Sequence, residues 1–319
     1  MIINKVNFFI VGQPKCGTTS LYHYFKKHNE VFMPEQKQLY YFAKDHNEHR
    51  KKYEKFNTDH FCKYYNYKFE YYISRFNFQK SIKVYGDITP DYIYSKTAPT
   101  DIYEYNNDAK VLVILREPLG FLKSFHSQLI QSSREYETDF YKALTYQETR
   151  QVDVFKNDEQ SPPFYFQYDE LVNYLKLVKS YHHKFKDNFK IFFYEDFRKD
   201  NKSTLDDICN FLSIKKFDKI KNIESNVSMQ GVNKLDGIKK NKMVKKFISL
   251  VPTRTKYWFK DNFFKLIFKK KKENLNDNFD IKLKEKFSQN IQELNQYIIK
   301  HDLNLGGGDI NLLEKWKYD

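Results

Sequence analysis

A short apolar run, Asn7-Phe8-Phe9-Ile10-Val11, ends at Gly12, and from Thr19 to Lys27 the pattern turns helical, with Leu21, Tyr24 and Phe25 on one face. A buried strand, a glycine-bounded turn and a helix in that order constrain the chain more than any other feature, because this is how an α/β fold begins. The turn reads Gly12-Gln13-Pro14-Lys15-Cys16-Gly17-Thr18-Thr19. Backbone N–H groups at a helix N-terminus attract anions, and glycine lets a ligand come close. The two glycines have GxxxxG spacing, but a Walker-type loop places its lysine directly after the second glycine. Here Thr18 takes that position, and Lys15 stands two residues before Gly17. The turn suits an anion, with an ordinary βα turn and a solvated lysine as the simpler reading.

Three more strands follow: a weak one at Lys83-Val84-Tyr85-Gly86, the clearest at Val111-Leu112-Val113-Ile114-Leu115, and a fourth at Lys190-Ile191-Phe192-Phe193-Tyr194. Helical patterns lie between them, notably Leu119 to Gln131 and Leu171 to Phe185. Strands alternating with helices predict a P-loop-like, three-layer α/β fold with a central, mostly parallel sheet flanked by helices. No internal repeat and no Pro/Ser-rich linker divides the chain, so a single domain over 1–319 is expected. The charged, aromatic stretch from His46 to Tyr72 reads as part of an inserted helical lid near 46–80.

Arg116 follows the strongest strand, at the carboxyl end where open α/β sheets bind ligands. Ser124 comes eight residues later, about two helical turns along the next helix. A guanidinium and a hydroxyl so placed can grip a phosphate, the arginine in bidentate fashion. Two anion sites on neighbouring strands suit a nucleotide phosphorylated at both ends.

Composition excludes several classes. The chain is 40% apolar and 18% aromatic, too hydrophobic for a disordered protein, and its 9 glycines exclude collagen-like sequence. No apolar run approaches the roughly 18 residues of a membrane span, and no secretory signal opens the chain. Cys16, Cys62 and Cys209 are odd in number and scattered, which suggests free thiols in a reducing, cytoplasmic setting. No histidine spacing suggests zinc. The net charge of +14 is concentrated: residues 239–272 carry 13 Lys and Arg against Asp261 alone, a net +12. These lysines are interleaved with Phe247, Trp258, Phe263 and Phe268, as in basic amphipathic helices that meet an anionic membrane surface or line an anionic groove. Nucleic acid would also be drawn to +12, but no recognised reader motif accompanies it. A coding bias toward lysine is the plain alternative.

Pro14-Lys15-Cys16-Gly17-Thr18-Thr19-Ser20-Leu21 resembles the 5′-phosphosulfate loop of sulfotransferases, usually PKSGTTxL. Arg116 to His126 resembles their 3′-phosphate motif, RxPxxRxxSxY, and Tyr194-Glu195-Asp196-Phe197 resembles their YEDL. His28 to Phe42 and Gly86-Asp87-Ile88-Thr89-Pro90-Asp91-Tyr92 are similar to elements of the carbohydrate-sulfating branch. The resemblance runs from Asn7 to about Ile214. It implies that the donor is 3′-phosphoadenosine 5′-phosphosulfate and that the acceptor is a hydroxyl, on a carbohydrate or glycan by the branch resembled. By the same resemblance, Pro14, Lys15, Cys16, Gly17, Thr18, Thr19 and Ser20 hold the 5′-phosphosulfate, Arg116 and Ser124 the 3′-phosphate, and Tyr194 joins the donor site. Lys15 would neutralise the bridging oxygen as the S–O bond breaks, and no metal is required if Lys15, Arg116 and backbone amides supply the positive field.

The chain departs from the family pattern at four positions. Phe121 replaces the second arginine of the 3′-phosphate motif, and His126 replaces its tyrosine. Cys16 replaces a serine; Lys15 and the helix start would lower its thiol pKa, while the simpler reading is a small residue that fits the turn. Gln38 stands where the carbohydrate branch has its glutamate base, and an amide cannot take up a proton at neutral pH. Asp87 is the favoured substitute, expected to face the donor cleft, with orientation of Lys15 or capping of the Thr89-Pro90 turn as its other reading. Glu35 is second and His126 third. A non-catalytic binding protein and a P-loop-type kinase remain as alternatives.

Overall fold

The computed structural model describes residues 5–47, 68–132, 134–135, 137–147, 163–218 and 277–318. Five parallel strands form one sheet in the order β2-β3-β1-β4-β5. They are β1 (Phe8–Gly12), β2 (Val31–Phe32), β3 (Val84–Ile88), β4 (Lys110–Leu115) and β5 (Phe189–Phe193). β1 is central, pairing Phe8 with Gly86 on one side and with Lys110 on the other. Every residue of β1 and β3 is buried, as expected for parallel strands covered on both faces. β2 is a two-residue strand that sequence pattern did not mark, since two residues carry no periodicity; pairing of Val31 with Val84 defines it.

The helices are α1 (Thr18–Phe25), α2 (Phe69–Ser74), α3 (Ala98–Tyr105), α4 (Pro118–Gln131), α5 (Phe140–Thr145), α6 (Tyr168–Leu171), α7 (Tyr174–Phe185), α8 (Tyr194–Lys199), α9 (Asn201–Leu212), α10 (Asp277–Lys300) and α11 (Leu312–Trp316). The helix expected from Leu171 to Phe185 is divided at Val172 and Asn173: α6 closes at Leu171 and α7 begins at Tyr174. Of the expected insertion, α2 is described, and residues 48–67 lie outside the described residues. The basic stretch 239–272 also lies outside them.

β5 would be an exposed edge strand, but the chain after α10 covers it. Ile191 donates its N–H to the Leu303 carbonyl and accepts from Leu305 N–H, both at 2.8 Å. Such cover removes a row of unpaired backbone groups that would invite another strand. It also seats the C-terminus beside the carboxyl ends of β4 and β5.

Candidate active site

The turn after β1 opens α1. Gly17 sits at φ +80°, a left-handed conformation that glycine adopts at little cost, and a β-carbon there would lie 3.2 Å from the Phe197 ring. Lys15, also left-handed at φ +64°, has a carbonyl that accepts a hydrogen bond from Arg116 Nη1 at 3.3 Å. That bond joins the two loops expected from sequence to hold opposite ends of one nucleotide. The Arg116 guanidinium rests over the Tyr194 ring, 4.9 Å from its centroid, so the start of α8 is part of the same cluster. Ser124 is half-buried on α4.

The charges point to an anion. Burial lowers the Lys15 pKa, and the positive charge of Arg116 lowers it further. Lys37, to which sequence reasoning gave no role, reaches the same turn: its Nζ is 2.8 Å from Thr19 Oγ1 and 3.3 Å from Thr18 Oγ1. Burial brings Lys37 down to about 8. Two partly desolvated ammonium groups and a guanidinium around an N–H-rich turn favour a multiply charged ligand. The lysine preceding Gln38 was visible in the sequence, but nothing local marked where it would point.

The residues weighed as a base are engaged elsewhere. Asp87 is 1% exposed. Its carboxylate accepts from Thr89 Oγ1 at 2.7 Å, Tyr92 OH at 3.0 Å and Tyr72 OH at 3.4 Å. Burial raises its pKa to about 6. It is linked to the Gln38 turn: Thr89 Oγ1 accepts the Leu39 N–H at 3.1 Å, and the Ile88 carbonyl accepts the Gln38 N–H at 3.2 Å. Glu35 is turned outward in an ion pair with Lys26 at 2.6 Å, with its side chain 81% exposed. Gln38 is left-handed at φ +64°, and its Oε1 accepts from Tyr40 OH at 3.1 Å.

Three departures from the sequence pattern acquire physical reasons. Phe121 is fully buried and stacked on Phe125, so it contributes to the core where the pattern has a cation. His126 is buried against Phe140 and Tyr168, with Nε2 2.9 Å from the Glu137 carbonyl. Cys16 overturns the expectation of a lowered thiol pKa: it is fully buried, its Sγ donates to the Pro14 carbonyl at 3.5 Å, and burial pushes the thiol up. The small-residue reading fits this position.

The sheet order and loop positions define a P-loop-like α/β protein whose first loop lacks the Walker lysine spacing. The sequence matches the sulfotransferase family over residues 7–219, and the chain belongs to that family. A structural relative is the crystal structure of a sulfotransferase from Alicyclobacillus acidocaldarius, with TM-score 0.57 and 24% identity over 70% of this chain and 87% of that one. A curated relative is the membrane-associated sulfotransferase kil1 of Dictyostelium discoideum, 27% identical over 116 residues. That match covers 35% of this chain and spans 21% of the relative's length. Among the described residues, no helix is long and apolar enough to cross a membrane.

Proposed function

We propose that the protein transfers a sulfuryl group from 3′-phosphoadenosine 5′-phosphosulfate to an acceptor hydroxyl, most simply on a carbohydrate or glycan. The observation that carries this reading is the convergence of Lys15, Lys37 and Arg116 on one turn, with Arg116 hydrogen-bonded to the Lys15 carbonyl. Bound there, the donor supplies the activated sulfuryl group. Lys15 and Lys37 stabilise negative charge on the 5′ side, and Arg116 with Ser124 holds the 3′-phosphate. In-line transfer of this kind depends chiefly on positioning and charge stabilisation. Protein cations and backbone amides provide that field in this reading, and the product is 3′-phosphoadenosine 5′-phosphate.

The surroundings of Asp87 favour a positioning role, in which it holds Thr89 and through it the turn bearing Gln38. Gln38 itself supports a second reading, a donor-binding protein without turnover, because its amide stands where the carbohydrate-sulfating branch resembled has its glutamate base. The basic stretch 239–272 supports peripheral contact with an anionic membrane from the cytoplasmic side, as does the membrane association in the name of the kil1 relative.

The test is thermal denaturation without metal, followed by incubation with labelled donor and a panel of hydroxyl acceptors. The 3′,5′-bisphosphate should raise the melting temperature, since a ligand that binds only the folded state stabilises it. Lys15→Ala and Arg116→Ala should each remove most of the shift, and AMP should produce little. Equal stabilisation by AMP, or by ATP with magnesium, would reject the donor.

A further inference from the structure

The family match ends at residue 219, yet residues near the C-terminus reach the Arg116 loop. Tyr318 OH donates to Glu117 Oε1, and Trp316 Nε1 donates to Glu195 Oε2 at 3.1 Å. Glu117 and Glu195 both flank Arg116. Glu117 folds back to cap α4, accepting from Leu119 N–H and Gly120 N–H. A β-carbon at Gly120 would lie 2.7 Å from Glu117 Oε2, so a larger residue there would push the carboxylate from this cap. The other Glu195 oxygen accepts the Glu117 N–H at 3.0 Å, and the Arg116 carbonyl accepts from Tyr174 OH at 2.8 Å. Trp316 packs edge-on against Phe193 of β5 and against Tyr174, whose hydroxyl holds the Arg116 carbonyl.

The C-terminal residues are themselves anchored. Leu312 N–H donates to Asn295 Oδ1 of α10 at 2.9 Å, and Lys284 Nζ donates to the Lys317 carbonyl at 2.7 Å. Lys315 pairs with Asp196, and Asp280 at the start of α10 pairs with Lys123 of α4 at 2.6 Å. Trp316 is 3% exposed and Tyr318 is 8% exposed.

We propose that residues 311–318 brace the 3′-phosphate site, with Trp316 and Tyr318 as positioning residues that hold Glu195 and Glu117 away from the Arg116 guanidinium. This rests on the donor assignment above. A carboxylate freed beside a guanidinium forms a charge-assisted pair with it and competes with phosphate for the same N–H groups. The brace turns one oxygen of each carboxylate toward the C-terminus, and Arg116 stays oriented by Lys15 and Tyr194. Its effect is therefore confined to the ligand end that carries the 3′-phosphate.

The test measures binding of two probes by calorimetry at fixed ionic strength: the 3′,5′-bisphosphate of adenosine, and adenosine 5′-phosphosulfate, which lacks the 3′-phosphate. Tyr318→Phe and Trp316→Phe are compared with wild type, and circular dichroism checks folding. Tyr318→Phe removes a single oxygen and retains the packing. Each variant should weaken bisphosphate binding about fivefold to tenfold, the scale of one hydrogen bond, with 5′-phosphosulfate binding unchanged. Equal weakening of both probes, or no weakening of the bisphosphate, overturns the brace. Wild-type protein that fails to bind the bisphosphate rejects the donor assignment instead, and the brace with it.

Discussion

Lys37 Nζ lies 2.8 Å from the Thr19 hydroxyl, so a lysine eighteen residues downstream supplies a second ammonium group to the turn after β1. The tip of this turn is thus served by two lysines from separate segments, and each has lost part of its hydration.

Lys37→Gln should weaken binding of the 3′,5′-bisphosphate by about tenfold or more, as expected when a hydrogen-bonded charge is removed. The pH dependence has a definite sign. The folded-state pKa of about 8 lies below the unfolded value near 10.5. Between these values the unfolded chain binds more protons, so this group makes the ligand-free protein more stable as pH rises from about 8 toward 10.5. Ligand binding should weaken over the same window as the ammonium is lost. Melting curves with and without ligand from pH 7 to 10 would show both trends in wild type, and neither should be seen from this group in Lys37→Gln.

Asp87→Asn separates a base from a positioning residue. The variant replaces an acceptor of three hydroxyl donors with an amide that has one acceptor oxygen, and should cost about 1–3 kcal/mol at neutral pH. A positioning role leaves bisphosphate affinity near wild type and loses turnover only in step with folding. A base loses turnover while the melting temperature holds. The wild-type carboxyl, raised from 3.8 to about 6, binds more protons folded than unfolded between those values. Its contribution to stability therefore falls as pH rises from about 4 to 6, a fall that Asp87→Asn should lack.

Lys317 occupies φ +60°, just past the end of α11, where glycine is favoured. Lys317→Gly should stabilise the protein by about 0.5–1 kcal/mol, the usual relief at a left-handed position. The carbonyl that accepts from Lys284 is retained. Chemical denaturation should show a higher midpoint.

Replacing Lys269, Lys270, Lys271 and Lys272 with glutamine removes four of the thirteen positive charges in residues 239–272. Binding to vesicles containing anionic lipid should fall several-fold and should already decline with salt in wild type, as screening requires. Neutral vesicles should not bind, and donor binding should survive. Vesicle binding that responds to neither salt nor the substitutions would leave the cluster as a solvated face.

Much of the candidate site was legible from local order. The β1 strand, the glycine-bounded turn and Arg116 after β4 are consecutive features, and an unbroken apolar run reads as a buried parallel strand whatever lies far from it. The β5 run was legible in the same way, although Tyr194, read as its last residue, begins α8 instead. The two-residue β2 was not legible, because only pairing with β3 makes it a strand.

The fates of individual polar groups depended on contacts across long separations. Lys37 meets Thr19 because β2 and the left-handed residues Gln38 and Tyr40 fold the connecting segment back over the turn. Asp87 lies among hydroxyls from Tyr72, Thr89 and Tyr92, and Cys16 is sealed in the core. Tyr318 reaches Glu117 across two hundred and one residues. Side-chain type limits what such a group can do, but burial and hydrogen-bond partners set its charge and direction, and those arise only when distant segments pack.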